Sequence, residues 1–198
     1  MAIGDPYATL DELKDYLSLA DTVDDTKLSM SLSTVSRGIE HYCRRQFNRA
    51  ETATPRVFPP LDRCTVRVND FYTDDDLSVS VDVAGDETFS STLTVDQYWL
   101  RPHNGVVDGE EGWPYNSLAS ASGAYFLGLV QVTARWGWEA VPEPVHQACL
   151  ILASELAKLK DAPFGVAGFG EWGPVRVRQN PMACELLHPY RRLPVLVG

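Results

Sequence analysis

Apolar residues recur along this chain in two rhythms, and the switch between them divides it. Leu10, Leu13 and Leu17 share one helical face, opened by Thr9-Leu10-Asp11-Glu12. That is a capping box: the Thr9 hydroxyl accepts from the Glu12 amide while the Glu12 side chain reaches back. It predicts a short helix ending near Leu19. Leu28, Leu32, Val35, Ile39 and Tyr42 then step four and three by turns, the stripe of a second helix over about 25–46, roughly 30 Å long. Arg44 and Arg45 suit the negative pole at its end. Pro142 and Pro144 open a third helix carrying Val145, Cys149, Leu152, Leu156 and Leu159, expected to pack on the second and to end near Lys160. Asn180 and Pro181 make the cap and first residue of a last helix over about 181–190, which Pro189 can cut short.

Between the second and third helices the period becomes two. Cys64, Val66 and Val68 alternate with Thr65, Arg67 and Asn69, and Leu77, Val79, Val81 and Val83 with Ser78, Ser80 and Asp82. These are half-buried strands, with Asp74-Asp75-Asp76 as a solvated turn before the second. "AGDE" at 84–87 reads as a turn, "TFSSTLTVDQYWL" and "AYFLGLVQVTARW" as further strands, 101–123 as loop, and "PVRVR" as a short strand late in the chain. The expected fold is α+β: a small helical bundle of about four helices from residues 1–54 and 141–198, with an antiparallel β module, 55–140, inserted.

Composition adds little to this, but charge does. With 44% hydrophobic and 22% charged residues, the 198-residue chain is ordinary globular material. Its net charge of -10 is concentrated: residues 51–140 hold 14 acidic side chains against 5 basic ones. Such a segment repels phosphate, which argues against gripping DNA. The 4 cysteines form no C-x-x-C pair, so reduced thiols and an intracellular setting are expected. "MAIGDPYATLDEL" has no basic start followed by an apolar run, and no apolar stretch is long enough to span a bilayer, so a soluble protein without membrane contact is expected.

The chemical motifs are weak. Gly168-Phe169-Gly170-Glu171-Trp172-Gly173 fits G-x-G-x-x-G, but a helix leads in and a β-patterned segment follows, the reverse of a dinucleotide turn. The Asp74–Asp76 run lacks the alternation and terminal glutamate of a calcium loop. Cys184, His188, His41 and Cys43 do not have zinc-finger spacing. His41, His103, His146 and His188 are scattered, and neither G-x-S-x-G nor H-E-x-x-H occurs. No catalytic, cofactor or metal residue is assigned. Trp113, Trp136 and Trp138 have two open readings, core packing and subunit contact. A carbohydrate-binding surface at Trp99, Trp113 or Tyr115, and an enzyme using a non-local Asp/His site, stand as alternatives.

The order of segments "YATLDELKDYLSL", "GIEHYCRRQF", "VTARWGWEAVPEPVHQACLILASEL", "DAPFGVAGFGEWGPVRV" and "LLHPYRRLPVLVG" resembles the head-tail connector (adaptor, or head-completion) proteins of long-tailed bacteriophages over residues 7–48 and 130–198. The resemblance implies a non-enzymatic virion protein at the neck, made in the host cytoplasm. It implies a ring, commonly of twelve subunits, beneath the portal protein, prolonging the DNA channel and offering a platform to the next neck or tail protein. DNA would pass without sequence-specific binding. On this reading Gly165, Gly168, Gly170 and Gly173 free the chain to turn, Phe169 and Trp172 plug a neighbour, and Leu193 to Val197 docks into the portal or an adjoining subunit. The positions assigned to ring or portal contacts are thus Phe169, Trp172, Tyr190, Arg191, Arg192, Leu193, Val195, Leu196 and Val197, with Trp136 and Trp138. A different neck or tail-completion protein is the rival reading.

Overall fold

A computed structural model describes residues 2–121, 126–158 and 180–192. The chain forms two compact units, one from Ile3–Phe47 with Val141–Gly198, the other from Asn48–Ala140.

In the first unit the Thr9 capping box forms, the Thr9 N–H donating to Glu12 Oε2 at 2.7 Å and the Glu12 N–H to Thr9 Oγ1 at 3.2 Å. It starts α1, Leu10–Leu17, which stops short of Leu19 because Ser18 turns left-handed at φ 56°. The second helix, α2, spans Asp25–Cys43 and buries Leu28, Leu32, Val35 and Ile39. It ends three residues before the expected 46, since Arg44 adopts φ 54° and the chain turns away. That turn sends Phe47 into the core, fully buried and edge-on to Tyr7 at 5.6 Å. The third helix, α3, runs Glu143–Lys158, its first amides at Val145 and His146 bonded to the Pro142 carbonyl at 2.9 and 3.0 Å. Besides Val145, Cys149 and Leu152 it buries Ala148, Leu150, Ile151, Ala153 and Ser154, so it is enclosed on more than the one predicted stripe. The last, α4, is Pro181–Leu187, with Asn180 Oδ1 accepting the Ala183 N–H at 2.8 Å. At His188 it tightens into a 3-10 turn over Pro189, where the sequence places the break. α3 packs on α2, α1 and α4.

The second unit is a seven-stranded antiparallel sheet, large enough that the fold is α+β without being a helical bundle carrying a minor insertion. Its strands are β1 (Thr54–Phe58), β2 (Pro60–Asp62), β3 (Thr65–Val81), β4 (Ser91–Thr92), β5 (Tyr98–Arg101), β6 (Tyr115–Ser120) and β7 (Val130–Trp136). The main order is β1-β7-β3-β6-β5, with β2 and β4 pairing β3.

Several sequence expectations change here. The alternating runs at 64–68 and 77–83 are two ends of one strand, β3. Asp74–Asp76 is no turn between strands but a bulge within it: β3 advances from Thr73 to Ser78 while β7 advances only from Arg135 to Thr133. Asp76 sits there at φ 59° and accepts from Arg135 Nε at 3.1 Å. The run "TFSSTLTVDQYWL" is broken by a 3-10 turn at Val95–Gln97, which Thr94 and Gln97 cap reciprocally. The expected loop 101–123 contains β6. The expected strand before Trp136 begins only at Val130. Gly128 passes so close to the Asp82 carbonyl that a Cβ would lie 1.9 Å from its oxygen. The core of this unit gathers Val66, Val68, Phe71, Val79, Leu118 and Val132 around Trp136.

Candidate assembly surfaces

The C-terminal positions assigned to docking are partly engaged within the chain itself. After α4, Tyr190 lies edge-on to Phe47 with ring centroids 6.0 Å apart, and the Arg191 guanidinium stands 4.8 Å from the centroid of Tyr42. The Arg192 N–H donates to the Cys43 carbonyl at 2.8 Å. Three consecutive residues therefore strap the chain to the end of α2. Arg191 remains exposed at its place on that strap.

The strap meets a buried network built on Tyr7. The Tyr7 hydroxyl donates to Glu40 Oε1 at 2.7 Å and accepts the Phe47 N–H at 3.1 Å, while the Tyr7 N–H donates to Ser36 Oγ at 3.0 Å. Arg37 holds the same Glu40 oxygen at 3.0 Å. Burial pushes the Tyr7 phenol well above its ordinary range, with the Glu40 hydrogen bond in the same direction. Burial also pushes the thiols of Cys43 up to about 12 and Cys149 up to about 11. Thiols held protonated in this way are packing groups rather than nucleophiles.

Trp136 and Trp138 offer no docking surface, which corrects the contact reading. Trp136 is 1% exposed and Trp138 3%. Their indole N–H groups are used internally, Trp136 on the Thr54 carbonyl at 2.8 Å and Trp138 on Asp70 Oδ2 at 3.0 Å. Phe58 and Phe71 flank Trp136, Arg56 caps its face at 4.5 Å, and Trp113 packs on Trp138 at 5.2 Å. Alternate positions in a strand ending at a glycine cannot tell a core tryptophan from an interface one, which is why both readings stood.

Phe169, Trp172, Leu193, Val195, Leu196 and Val197 lie outside the described residues, as do the glycine motif and "PVRVR". Exposed apolar side chains occur on both units: Val23, Met30 and Met182 on the helical one, Val95, Trp99 and Leu127 on the sheet. In the helical unit Leu17, Leu19, Leu28 and Ala157, with Lys27, line an open groove of about 210 Å³. The acids of the sheet unit are largely on its surface, Asp74, Asp75, Asp108, Glu110 and Glu111 among them. Asp70 and Asp82 are buried exceptions, Asp82 accepting the Gly85 and Glu87 amides at 2.7 and 2.9 Å. Among the described residues no group of three or more His, Cys, Asp and Glu is placed to hold a metal ion, and no helix is long and apolar enough to cross a membrane.

The site is thus one of surfaces, in a two-unit α+β chain whose residues 190–192 are strapped beside the end of α2. The same fold is found in a chain from the neck of an empty gene transfer agent (GTA) particle computed with C6 symmetry, with a TM-score of 0.54 and 19% sequence identity, covering 96% of this chain and 91% of that one. A chain in the virion of a native GTA particle aligns over the same shares at TM-score 0.49 and 20% identity. At such identity the likeness speaks for the fold alone. No protein-family model and no curated protein matches the chain.

Proposed function

We infer that this chain is a structural protein of a phage-like virion, a head-to-tail adaptor at the neck that forms a ring under the portal and presents a platform to the next neck or tail protein. One observation carries the reading: the fold, over 96% of the chain, is that of a subunit in a neck computed with rotational symmetry. The segment order at 7–48 and 130–198 points the same way.

The physical requirements are met by surfaces of the right kind. A ring needs heterologous contacts, one face of each copy meeting a different face of the next. The subunit carries exposed apolar residues on both units to supply them. An acidic sheet unit suits a channel wall, since phosphate contacts would hold a duplex that must pass quickly. On this reading the protein acts without catalysis. Phe169 and Trp172 plug a neighbour, and Leu193–Val197 docks on the portal or an adjoining copy.

Native mass measurement of the chain alone and with the cognate portal protein, together with particle images, tests this. Twelve copies in a collar below the portal are expected. Absence from the collar, or a different position along the neck, overturns the adaptor assignment. Virions that assemble normally from Phe169→Ala/Trp172→Ala chains, or from chains ending at Arg192, overturn the corresponding contact.

A further inference from the structure

Among the described residues, β5 lies at an edge of the sheet. In an antiparallel pair, residues alternate between those bonded to the partner strand and those whose N–H and C=O point away. The Ala121 N–H donates to the Gln97 carbonyl at 2.9 Å, so that pair is of the bonded kind. With the register Tyr98↔Ser120 to Arg101↔Ser117, Trp99 and Arg101 face β6 through their backbone while Tyr98 and Leu100 turn theirs outward. The Ser120 N–H agrees, donating away from β5 to Cys64 at 2.7 Å. The outward groups of Tyr98 and Leu100 have no hydrogen-bond partner among the described residues.

The other described margins offer less to an added strand. The Asp82 N–H donates to the Leu129 carbonyl at 2.9 Å, which sets the alternation on β7 so that Val130, Val132 and Ala134 bond β1. Pro55 and Val57 are then the outward residues of β1, and Pro55 has no N–H to offer. β2 opens on Pro60, and β4 is 2 residues long.

We propose that the β5 edge receives residues Leu193–Val197 of a second copy as an added strand. The described residues stop at Arg192, whose N–H is fixed on Cys43, and the sequence continues as "LPVLVG" with no charged side chain. Five residues extend about 16 Å against about 13 Å for the four of β5. The Leu and Val side chains suit an edge where Trp99 is 57% exposed and Val95 83%, and Pro194, which has no N–H, is accommodated if it faces away from β5 so that Val195 and Val197 bond it. The contact is heterologous, tail to edge, and so propagates from copy to copy. It deepens the ring reading above by naming one of the ring's interfaces.

The test uses the full chain and a fluorescent peptide of residues 191–198, followed by anisotropy. Saturable binding is expected. Methylating the peptide nitrogens of Val195 and Leu196 blocks the ladder in either register and should weaken binding roughly tenfold or more, while leaving every side chain in place. Leu100→Pro removes one outward N–H and no bond to β6, and should cost a similar factor. Equal affinity for the methylated peptide, or no binding of the native peptide at about 1 mM, overturns the proposal, and the peptide comparison decides it should the proline variant not fold. A collar ring in particles whose chain ignores the peptide sinks this interface and spares the adaptor reading; peptide binding with no chain in the collar does the opposite.

Discussion

Tyr7→Phe removes one oxygen and tests what closes the helical unit. That oxygen accepts the Phe47 N–H at 3.1 Å and donates to Glu40 Oε1 at 2.7 Å, and both Tyr7 and Phe47 are fully buried. Taking away the acceptor of a buried amide costs about 1–3 kcal/mol, and the lost bond to Glu40 about 1 more. The second loss is softened because Arg37 keeps the carboxylate paired. A total of about 2–3 kcal/mol is expected, or roughly 8–24 °C in the transition of this unit of about 100 residues. Far-UV circular dichroism at the helix band follows it, while tryptophan fluorescence reports mostly the sheet, where four of the five tryptophans lie. The pH dependence adds an independent check. Burial raises the phenol pKa in the folded state, so its contribution is complete below about pH 10 and is lost as pH rises beyond it, where the unfolded chain gives up the proton. The gap between the native chain and Tyr7→Phe should therefore narrow above about pH 10. A variant within about 0.5 kcal/mol of the native chain, or a gap that stays constant into alkali, refutes the argument.

Gly137→Ala should cost on the order of 3 kcal/mol or more, read as lost soluble yield or a collapsed fluorescence transition. Gly137 sits at φ 106° with its missing Cβ only 1.8 Å from the Asn48 carbonyl oxygen. Thr9→Ala breaks the capping box and should lower stability by about 1 kcal/mol in denaturant titration, with Thr9→Ser recovering most of it. Trp138→Phe removes the indole donor to buried Asp70 and should cost about 1–3 kcal/mol, whereas Trp99→Phe, on an exposed ring, should cost under about 0.5. Equal effects at the two tryptophans would contradict the core placement of Trp138.

Local signals were readable where one short segment settles the matter. Thr9 and Glu12 are three residues apart, and Asn180 precedes a proline, so both caps form from neighbours alone. The stripe of α2 shows because one face of that helix is buried and the rest is wet. The sheet was read less well, since a strand's fate depends on what lies beside it. Leu118 lies in a segment rich in Gly, Ser and Asn, yet it is fully buried because β3 and β5 flank it. Asp74–Asp76 suggests a turn by composition, but a bulge accommodates three acids within a strand that pairs with β7 on both sides of them, at Phe71–Thr73 and at Ser78–Val81.

The positions proposed for docking divide for a related reason. Tyr190, Arg191 and Arg192 lie after the last helix and look free in a linear reading, yet their partners Phe47, Tyr42 and Cys43 are more than a hundred residues earlier, where no periodicity connects them. The strap changes the mechanics of any tail contact. A tail tethered at Arg192 begins each encounter from a fixed point, so less chain entropy is lost when its last residues bind than if the freedom began at Asn180. Arg191→Ala should then weaken assembly without touching any partner, by loosening the anchor on Tyr42. Loss of assembly on deleting residues 193–198 alone, with the Tyr42 contact intact, separates the binding segment from the strap that presents it.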